Sequence, residues 1–186
     1  NKDKTLKWNP FVFNQSMKKI LLLSDTHGYI GEEIIKYVHQ ADEVWHAGDI
    51  GDLKVTDALK KIKPLRAVYG NIDNNQARLE FPLYQKFTLE GIKVWITHIG
   101  GYPNRYAKKV REDIYKHTPD LFISGHSHIL KVMQDKKLKL LHMNPGAVGI
   151  HGFHKMRTML RFEISDGTIQ NLEVIEFKRS AQKNPE

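Results

Sequence analysis

The chain contains no cysteine and no long run of apolar residues. The absence of cysteine excludes a disulfide-stapled scaffold, a cysteine-ligated metal site and a thiol nucleophile. The apolar runs, such as 20–23, fall well short of the roughly 20 residues that span a bilayer. With 186 residues, of which 40% are apolar and 27% charged, the sequence is typical of one globular domain. We therefore expect a cytoplasmic protein that does not use a membrane as a partner.

Positive charge exceeds negative charge, with 29 Lys and Arg against 21 Asp and Glu and a formal net charge of +8. The basic residues are scattered, however, and the densest clusters are 60–63, 108–111 and 136–139. We interpret each cluster as the solvated face of a helix or a hairpin, with an anionic partner or substrate as the alternative. Nucleic acid is therefore not the expected partner.

Three segments are predicted along the chain. Residues 1–16 form an N-terminal extension, which is either an added segment or an upstream arm and which lacks the features of a signal peptide. Residues 17–177 form a single domain, and residues 178–186 form a polar tail.

Strands and helices alternate in the first half of the chain. Strands are predicted at 18–23, 43–46 and 65–69, with helices at 32–40 and 56–63 between them. This βαβαβ order favours a parallel sheet with right-handed crossovers. The second half is richer in strands, and turn signals predict three hairpins, at 84–97, 131–142 and 156–177. A helix at 106–117 and a strand at 121–124 complete an α/β domain with two sheets covered by helices.

Polar side chains follow five of the predicted strands. They are Asp25, His27, Asp49, Asn71, His98, His126 and His128. In open α/β sheets, ligands bind at the carboxyl ends of the strands, so these side chains are expected at one rim. Oxygen and imidazole donors suit Mn, Fe, Zn or Ni. Seven donors are too many for one tetrahedral ion, and they suit two metals about 3.5–4 Å apart that share a carboxylate.

The order of these motifs resembles that of the calcineurin-like metallophosphoesterases. It reads Asp-x-His, Gly-Asp-x-x-Asp, Gly-Asn-x-Asp, His and Gly-His-x-His between residues 18 and 149. The short length and the segment 144–148 (Asn-Pro-Gly-Ala-Val) are similar to the small YfcE-type phosphodiesterase group, which shares a branch with the retromer phosphoesterase-like subunit. The resemblance implies a four-layer αββα sandwich of two mixed β-sheets flanked by helices, with a dimetal centre at its rim.

The resemblance also implies a role for each motif residue. Three residues would hold the first metal: Asp25, His27 and His128. Three others would hold the second: Asn71, His98 and His126. Asp49 would bridge the two ions, and Asp52 and Asp73 would support ligands or substrate. Asp49, Asn71 and His98 are the expected catalytic residues.

The implied activity is that of a dimetal-dependent phosphodiesterase acting on small or aryl-type phosphodiesters by attack of a metal-bridging hydroxide. Manganese is the expected metal, with zinc, iron and nickel as alternatives. A small-molecule phosphodiester is the expected partner, and homo-oligomerisation is left open. The alternatives are a protein-binding scaffold of the retromer kind and a nuclease.

Two positions depart from the pattern of many superfamily members. Ile72 stands where they have a histidine that binds phosphate and protonates the leaving group, and Gly100 stands where they have a further histidine. His151 and His154 are candidate substitutes because a loop histidine can donate a proton. The alternative is that both are exposed loop residues.

Overall fold

The computed structural model describes residues 17–152 and 154–178. The predicted N-terminal extension lies outside the described residues, as does nearly all of the predicted tail. One five-stranded sheet has the spatial order β12 (Thr168–Lys178), β11 (Met156–Ser165), β1 (Lys18–Leu23), β2 (Glu43–His46) and β3 (Leu65–Ala67). The other has the order β4 (Tyr84–Leu89), β5 (Ile92–Thr97), β8 (Leu121–Ile123), β10 (Leu140–Pro145) and β9 (Leu130–Asp135).

Four helices and one small hairpin complete the described fold. The helices are α1 (Glu32–Val38), α2 (Leu53–Lys60), α3 (Asn75–Glu80) and α4 (Lys108–Lys116). Strands β6 (Gly101–Tyr102) and β7 (Arg105–Tyr106) form the hairpin. The predicted βαβαβ unit is confirmed because β1 pairs in parallel with β2, and β2 with β3. Helix α3 and the β6–β7 hairpin are additions to the prediction.

The two sheets pack face to face, and helices cover their outer faces. In β1, Ile20 and Leu22 pack against the second sheet, whereas Leu21 and Leu23 pack under α1 and α2. This alternation follows from the two-residue period of a strand. On the other side, α4 covers the second sheet around Trp95. The described residues therefore form the predicted αββα sandwich.

Strand direction brings the predicted ligand loops to one edge of the sandwich. Strands β1, β2 and β3 run parallel in one sheet, as do β5, β8 and β10 in the other. Backbone hydrogen bonds then join the loops, from Asp25 N to the Gly48 carbonyl at 2.9 Å and from Gly125 N to the His98 carbonyl at 3.0 Å. No helix in the described part of the chain has the length and hydropathy to cross a membrane.

Candidate metal centre

The first cluster at this edge consists of Asp25, His27 and His128, whose ligand atoms all lie within 4.8 Å of one another. His128 Nε2 is 3.2 Å from Asp25 Oδ1 and 3.3 Å from His27 Nε2. The other carboxylate oxygen, Asp25 Oδ2, accepts a hydrogen bond from the backbone N–H of His126 at 3.2 Å. The Asp25 carboxylate is therefore held by the His126 loop, and its free oxygen faces the two imidazoles.

The second cluster consists of Asp49, His98 and His126, which meet the same 4.8 Å criterion. His98 Nε2 lies 3.2 Å from Asp49 Oδ1, and the rings of His98 and His126 are 5.2 Å apart. The Nδ1–H of His98 donates to the carbonyl of Ala47 at 2.8 Å, which directs the Nε2 lone pair into the cluster.

Asp49 lies between the two clusters. Its Oδ1 is next to His98, and its Oδ2 is 3.9 Å from Nε2 of His27 in the first cluster. The backbone N–H of Ile72 donates to Oδ1 at 3.1 Å. Burial raises the pKa of Asp49. The neighbouring His98 and the Ile72 amide lower it by more than burial raises it, so the pKa lies below its usual value. One carboxylate thus faces both clusters, as a bridging ligand must.

The arrangement fits positive ions because it leaves buried ligand atoms unsatisfied. Asp25 Oδ1 and His98 Nε2 are buried and have no hydrogen-bond partner among the described residues. His27 Nε2 and His128 Nε2 lie 3.3 Å apart beside the unpartnered Asp25 oxygen. Buried polar atoms without partners are costly, and a divalent cation in each cluster would satisfy Asp25 Oδ1 in the first and His98 Nε2 in the second.

The backbone of the ligand loops is left-handed at five ligand positions. The φ angles are 55° at Asp25, 47° at His27, 54° at Asp49, 69° at His126 and 57° at His128. Asp and His are among the few non-glycine residues that tolerate this region. In this conformation the side chains of neighbouring loop residues face the same edge of the sandwich. His126 lies in the second cluster, and His128 lies in the first.

His46 organises the floor of the site without belonging to either cluster. It is fully buried, and burial lowers its pKa to about 4, so the ring is neutral. Its Nδ1 accepts from the Gly48 backbone at 3.1 Å, which places the proton on Nε2, 2.9 Å from the Thr26 hydroxyl. That hydroxyl donates to the carbonyl of Ile50 at 3.0 Å. His46 therefore connects the Asp25 and Asp49 loops.

The two supporting carboxylates have different positions. Asp52 caps α2, where it accepts from the backbone N–H of Lys54 at 2.9 Å, and its side chain is half exposed. Asp73 is buried and accepts from the backbone N–H groups of Gly51 at 2.8 Å and Gly70 at 2.7 Å. Asp73 therefore fixes the loops that carry Asp49 and Asn71.

Asp73→Asn is expected to destabilise the fold while Asp52→Asn does not. The amide cannot accept from both backbone groups, so one buried donor loses its partner at a cost of about 2–3 kcal/mol. Asparagine caps a helix as well as aspartate does. Urea unfolding of the two metal-free variants measures the difference. Equal stabilities would contradict the role assigned to Asp73.

Asn71 lies on the exposed side of the second cluster. It lines a cavity together with Gly70 and His98. The Arg78 side chain of α3 holds this loop by donating to the carbonyls of Asp73 at 2.8 Å and Asn71 at 3.2 Å. Sequence reasoning did not identify Arg78, because its only local signal is a cation on a helix that was itself not predicted.

The glycine at position 70 is required by the close approach of Asp49. A Cβ atom there would lie 2.1 Å from Asp49 Oδ1 and 2.4 Å from its backbone N.

At Gly100, a Cβ would lie 2.6 Å from the Phe122 ring and 2.9 Å from Ser124 Cβ. Phe122 thus fills the space that a histidine at position 100 would need.

The two loop histidines lie beside the first cluster. The ring of His151, which is exposed, is 6.3 Å from that of His27, and the ring of His154 is 5.4 Å from that of His128. His154 Nε2 is 3.0 Å from the Gly149 carbonyl. Ile72, by contrast, adjoins Asp49 and is 47% exposed. The candidate proton donors and Ile72 therefore flank different parts of the site.

Residues 17–167 match the calcineurin-like phosphoesterase superfamily domain, and the chain belongs to this family. A protein of Mycoplasma pneumoniae named "probable metallophosphoesterase" is 30% identical over 162 residues, which cover 84% of this chain and 96% of that protein.

Solved structures share the fold at lower identity. A structure described as a novel archaeal phosphodiesterase has a TM-score of 0.68 and 21% identity, covering 84% of this chain and 99% of its own. Vps29 of Entamoeba histolytica, solved in complex with Zn²⁺, has a TM-score of 0.63 and 15% identity, covering 85% of this chain and 98% of its own.

Proposed function

We propose that the protein is a dimetal-dependent phosphodiesterase that hydrolyses small or aryl phosphodiesters. The observation that carries this proposal is the position of Asp49, with one carboxylate oxygen toward each of two ligand clusters. Membership of the phosphoesterase family supports the reaction class. Manganese remains the proposed metal, with zinc, iron and nickel as alternatives.

In this proposal, Asp49 and His98 hold the ions, and Asn71 binds the phosphoryl group. When bound, two divalent ions lower the pKa of a water to near neutrality and offset charge on the phosphoryl oxygens. The Ile72 amide orients the Asp49 carboxylate, and the Ala47 carbonyl orients the His98 ring. Asn71 is exposed next to His98, where its amide can donate to a phosphoryl oxygen as charge develops.

Cavities on both sides of Ile99 favour a diester over a monoester. One, of about 400 Å³, includes Asn71 and His98 in its walls. The other, of about 210 Å³, includes His126 and Ser127. A phosphodiester has an ester group on each side of phosphorus, whereas a monoester has only one. The second cluster therefore has space for both ester groups of a diester.

Loading with metal is expected to give about two equivalents per chain. The protein is stripped with a chelator, dialysed against excess Mn²⁺ and measured by elemental analysis, with Zn²⁺ and Fe²⁺ in parallel. A stoichiometry that stays near one or below at saturation would contradict the two-ion site.

The same preparations test the activity. Metal-loaded protein is expected to hydrolyse bis(p-nitrophenyl) phosphate faster than p-nitrophenyl phosphate, and the chelated protein neither. Linear and cyclic nucleotides and single-stranded DNA in the same panel test the nuclease alternative. A strong preference for the monoester would overturn the diesterase proposal.

A protein-binding scaffold is the second candidate, favoured by apolar side chains exposed near the site and by the fold likeness to Vps29. Ile72, Ile99 and Ile129 are 47%, 45% and 60% exposed. Metal-loaded protein that hydrolyses no ester in the panel would favour the scaffold.

A further inference from the structure

The cavity on the Asn71 side of Ile99 has the composition of a small-molecule site. Its volume of about 400 Å³ lies in the range of roughly 300–1,000 Å³ typical of ligand pockets. Part of its wall is apolar or aromatic and consists of Leu83, Ile99, Tyr69 and Tyr84. Leu83 and Ile99 are each more than one-third exposed. These side chains suit the body of an organic ester group rather than a phosphoryl oxygen.

The outer wall of the same cavity is positively charged. It includes Lys108, Lys109 and Arg78, all of them exposed. In the described part of the chain, none of the three forms an ion pair with a carboxylate, unlike Lys60 with Glu80. Arg78 donates to the backbone carbonyls of Asp73 and Asn71. Among residues 17–152 and 154–178, the cations of this cavity therefore have no carboxylate counter-ion.

Helix α4 adds backbone donors at this wall. Its N-cap, Ala107, has no side chain that accepts from the first turn, so the backbone N–H groups of Lys108 and Lys109 lack intrahelical partners. The helix dipole and two ammonium groups therefore act at one place. The cavity is continuous from this wall to Asn71 and His98, so an ester group of a phosphate bound at the second cluster can reach the first turn of α4.

Another cavity, of about 480 Å³ beside Lys19, Ala41 and Arg161, is larger than the one at Asn71. It differs from that cavity in its place in the fold and in the pairing of its charge. It adjoins the start of β1, at the edge opposite the ligand loops. Its arginine is paired with Glu173. Neither feature connects it with the metal centre.

We infer that the cavity lined by Asn71, Lys108 and Lys109 binds one ester group of the substrate, and that this group carries a second anionic substituent beyond an apolar or aromatic body. The inference rests on the proposed phosphodiesterase function and specifies its substrate class. The scissile phosphate lies at the two clusters, the body lies along Ile99 and the two tyrosines, and the second anion meets the first turn of α4. A nucleoside carrying an additional phosphate is one group of this class.

Three substrates with the same p-nitrophenolate leaving group test the inference. Their second ester group is methyl, thymidine through its 5′ oxygen, or thymidine 3′-phosphate through its 5′ oxygen. With manganese-loaded protein, we expect kcat/KM to rise from the first to the second and about tenfold more with the 3′-phosphate, because a hydrogen bond to a charged group contributes more than one between neutral groups. Equal values for the methyl and thymidine esters would overturn the role of the apolar wall.

A matched pair of double variants separates the cavity from the overall charge. Lys108→Gln with Lys109→Gln should remove the preference for the 3′-phosphate. The control, Lys136→Gln with Lys137→Gln, removes the same amount of charge from the exposed turn after β9, at the opposite edge of the second sheet. The control variant should retain the preference for the 3′-phosphate. Loss of the preference in both variants, or in neither, would overturn the inference.

Equilibrium binding separates a failure of the inference from a failure of the proposed function. Thymidine 3′,5′-bisphosphate should bind about tenfold more tightly than thymidine 5′-phosphate by calorimetry, and only the Lys108/Lys109 variant should lose the difference. Hydrolysis of the thymidine ester without this binding difference would leave the phosphodiesterase standing and overturn the inference. The binding difference without hydrolysis of any ester would support the anion site and overturn the proposed function.

Discussion

Asp49→Ala is expected to abolish both metal binding and hydrolysis. The Asp49 carboxylate faces both clusters, with Oδ1 3.2 Å from His98 Nε2 and Oδ2 3.9 Å from His27 Nε2. Its removal takes a ligand from each ion and leaves two cations without the negative charge between them. We expect metal content to fall below one equivalent and kcat/KM to fall by at least about 10³-fold, beyond the 10–100-fold typical of outer-shell changes.

Two further variants give this prediction its controls. His27→Ala removes a ligand from the first cluster only and should retain about one equivalent of metal. Asp52→Asn changes the other acid of the same motif, which caps α2, and should retain both ions. Asp49→Ala protein that kept two equivalents of metal, or lost no more than the His27 variant, would contradict the bridging assignment.

Ile72→His is expected to accelerate hydrolysis of esters with poor leaving groups. The backbone of Ile72 adjoins Asp49, and its exposed side chain has no proton to donate, so the departing oxygen must leave unprotonated or take a proton from elsewhere. A positioned general acid typically contributes 10²–10⁴-fold. The substitution keeps the backbone N–H that holds Asp49. We expect kcat/KM to rise by up to about 10²-fold for dialkyl esters and to change little for nitrophenyl esters, whose leaving group is stable as an anion.

The measurement is the dependence of kcat/KM on leaving-group pKa for native protein, Ile72→His and the control Ile72→Leu. A steep native slope that flattens only in the histidine variant supports the prediction. A shallow native slope that steepens in His151→Ala or His154→Ala would show that a loop histidine already donates the proton. A shallow slope unaffected by all of these changes would contradict the interpretation of the site.

The residues of the two candidate ligand clusters were predictable because each follows an apolar strand in the sequence. The hairpin from Tyr84 to Thr97 was predicted with the observed strand bounds, since Glu90-Gly91 marks its turn. Helix α3 was not, because it has almost no apolar face: Ala77 is buried, whereas Leu79 is 89% exposed. Periodicity detects a helix only where packing selects one side.

The surroundings of the ligands depend on contacts that no local pattern encodes. Asp73 reaches Gly51, which lies 22 residues earlier, because parallel strands bring their two loops together. Lys108 and Lys109 look like any solvated basic cluster in the sequence. Only the packing of α4 on the second sheet places them at a cavity that also contains His98.

The left-handed backbone at Asp25, His27, Asp49, His126 and His128 implies a conflict between stability and function. A left-handed non-glycine residue costs about 1–2 kcal/mol, so the five together rival much of the net stability of a small domain. Glycine would relieve that strain at each position but would remove the ligand. A descendant that no longer needed metal would gain stability from such replacements, so these side chains are a burden on the apo fold. An ion bound by these side chains would offset part of that cost.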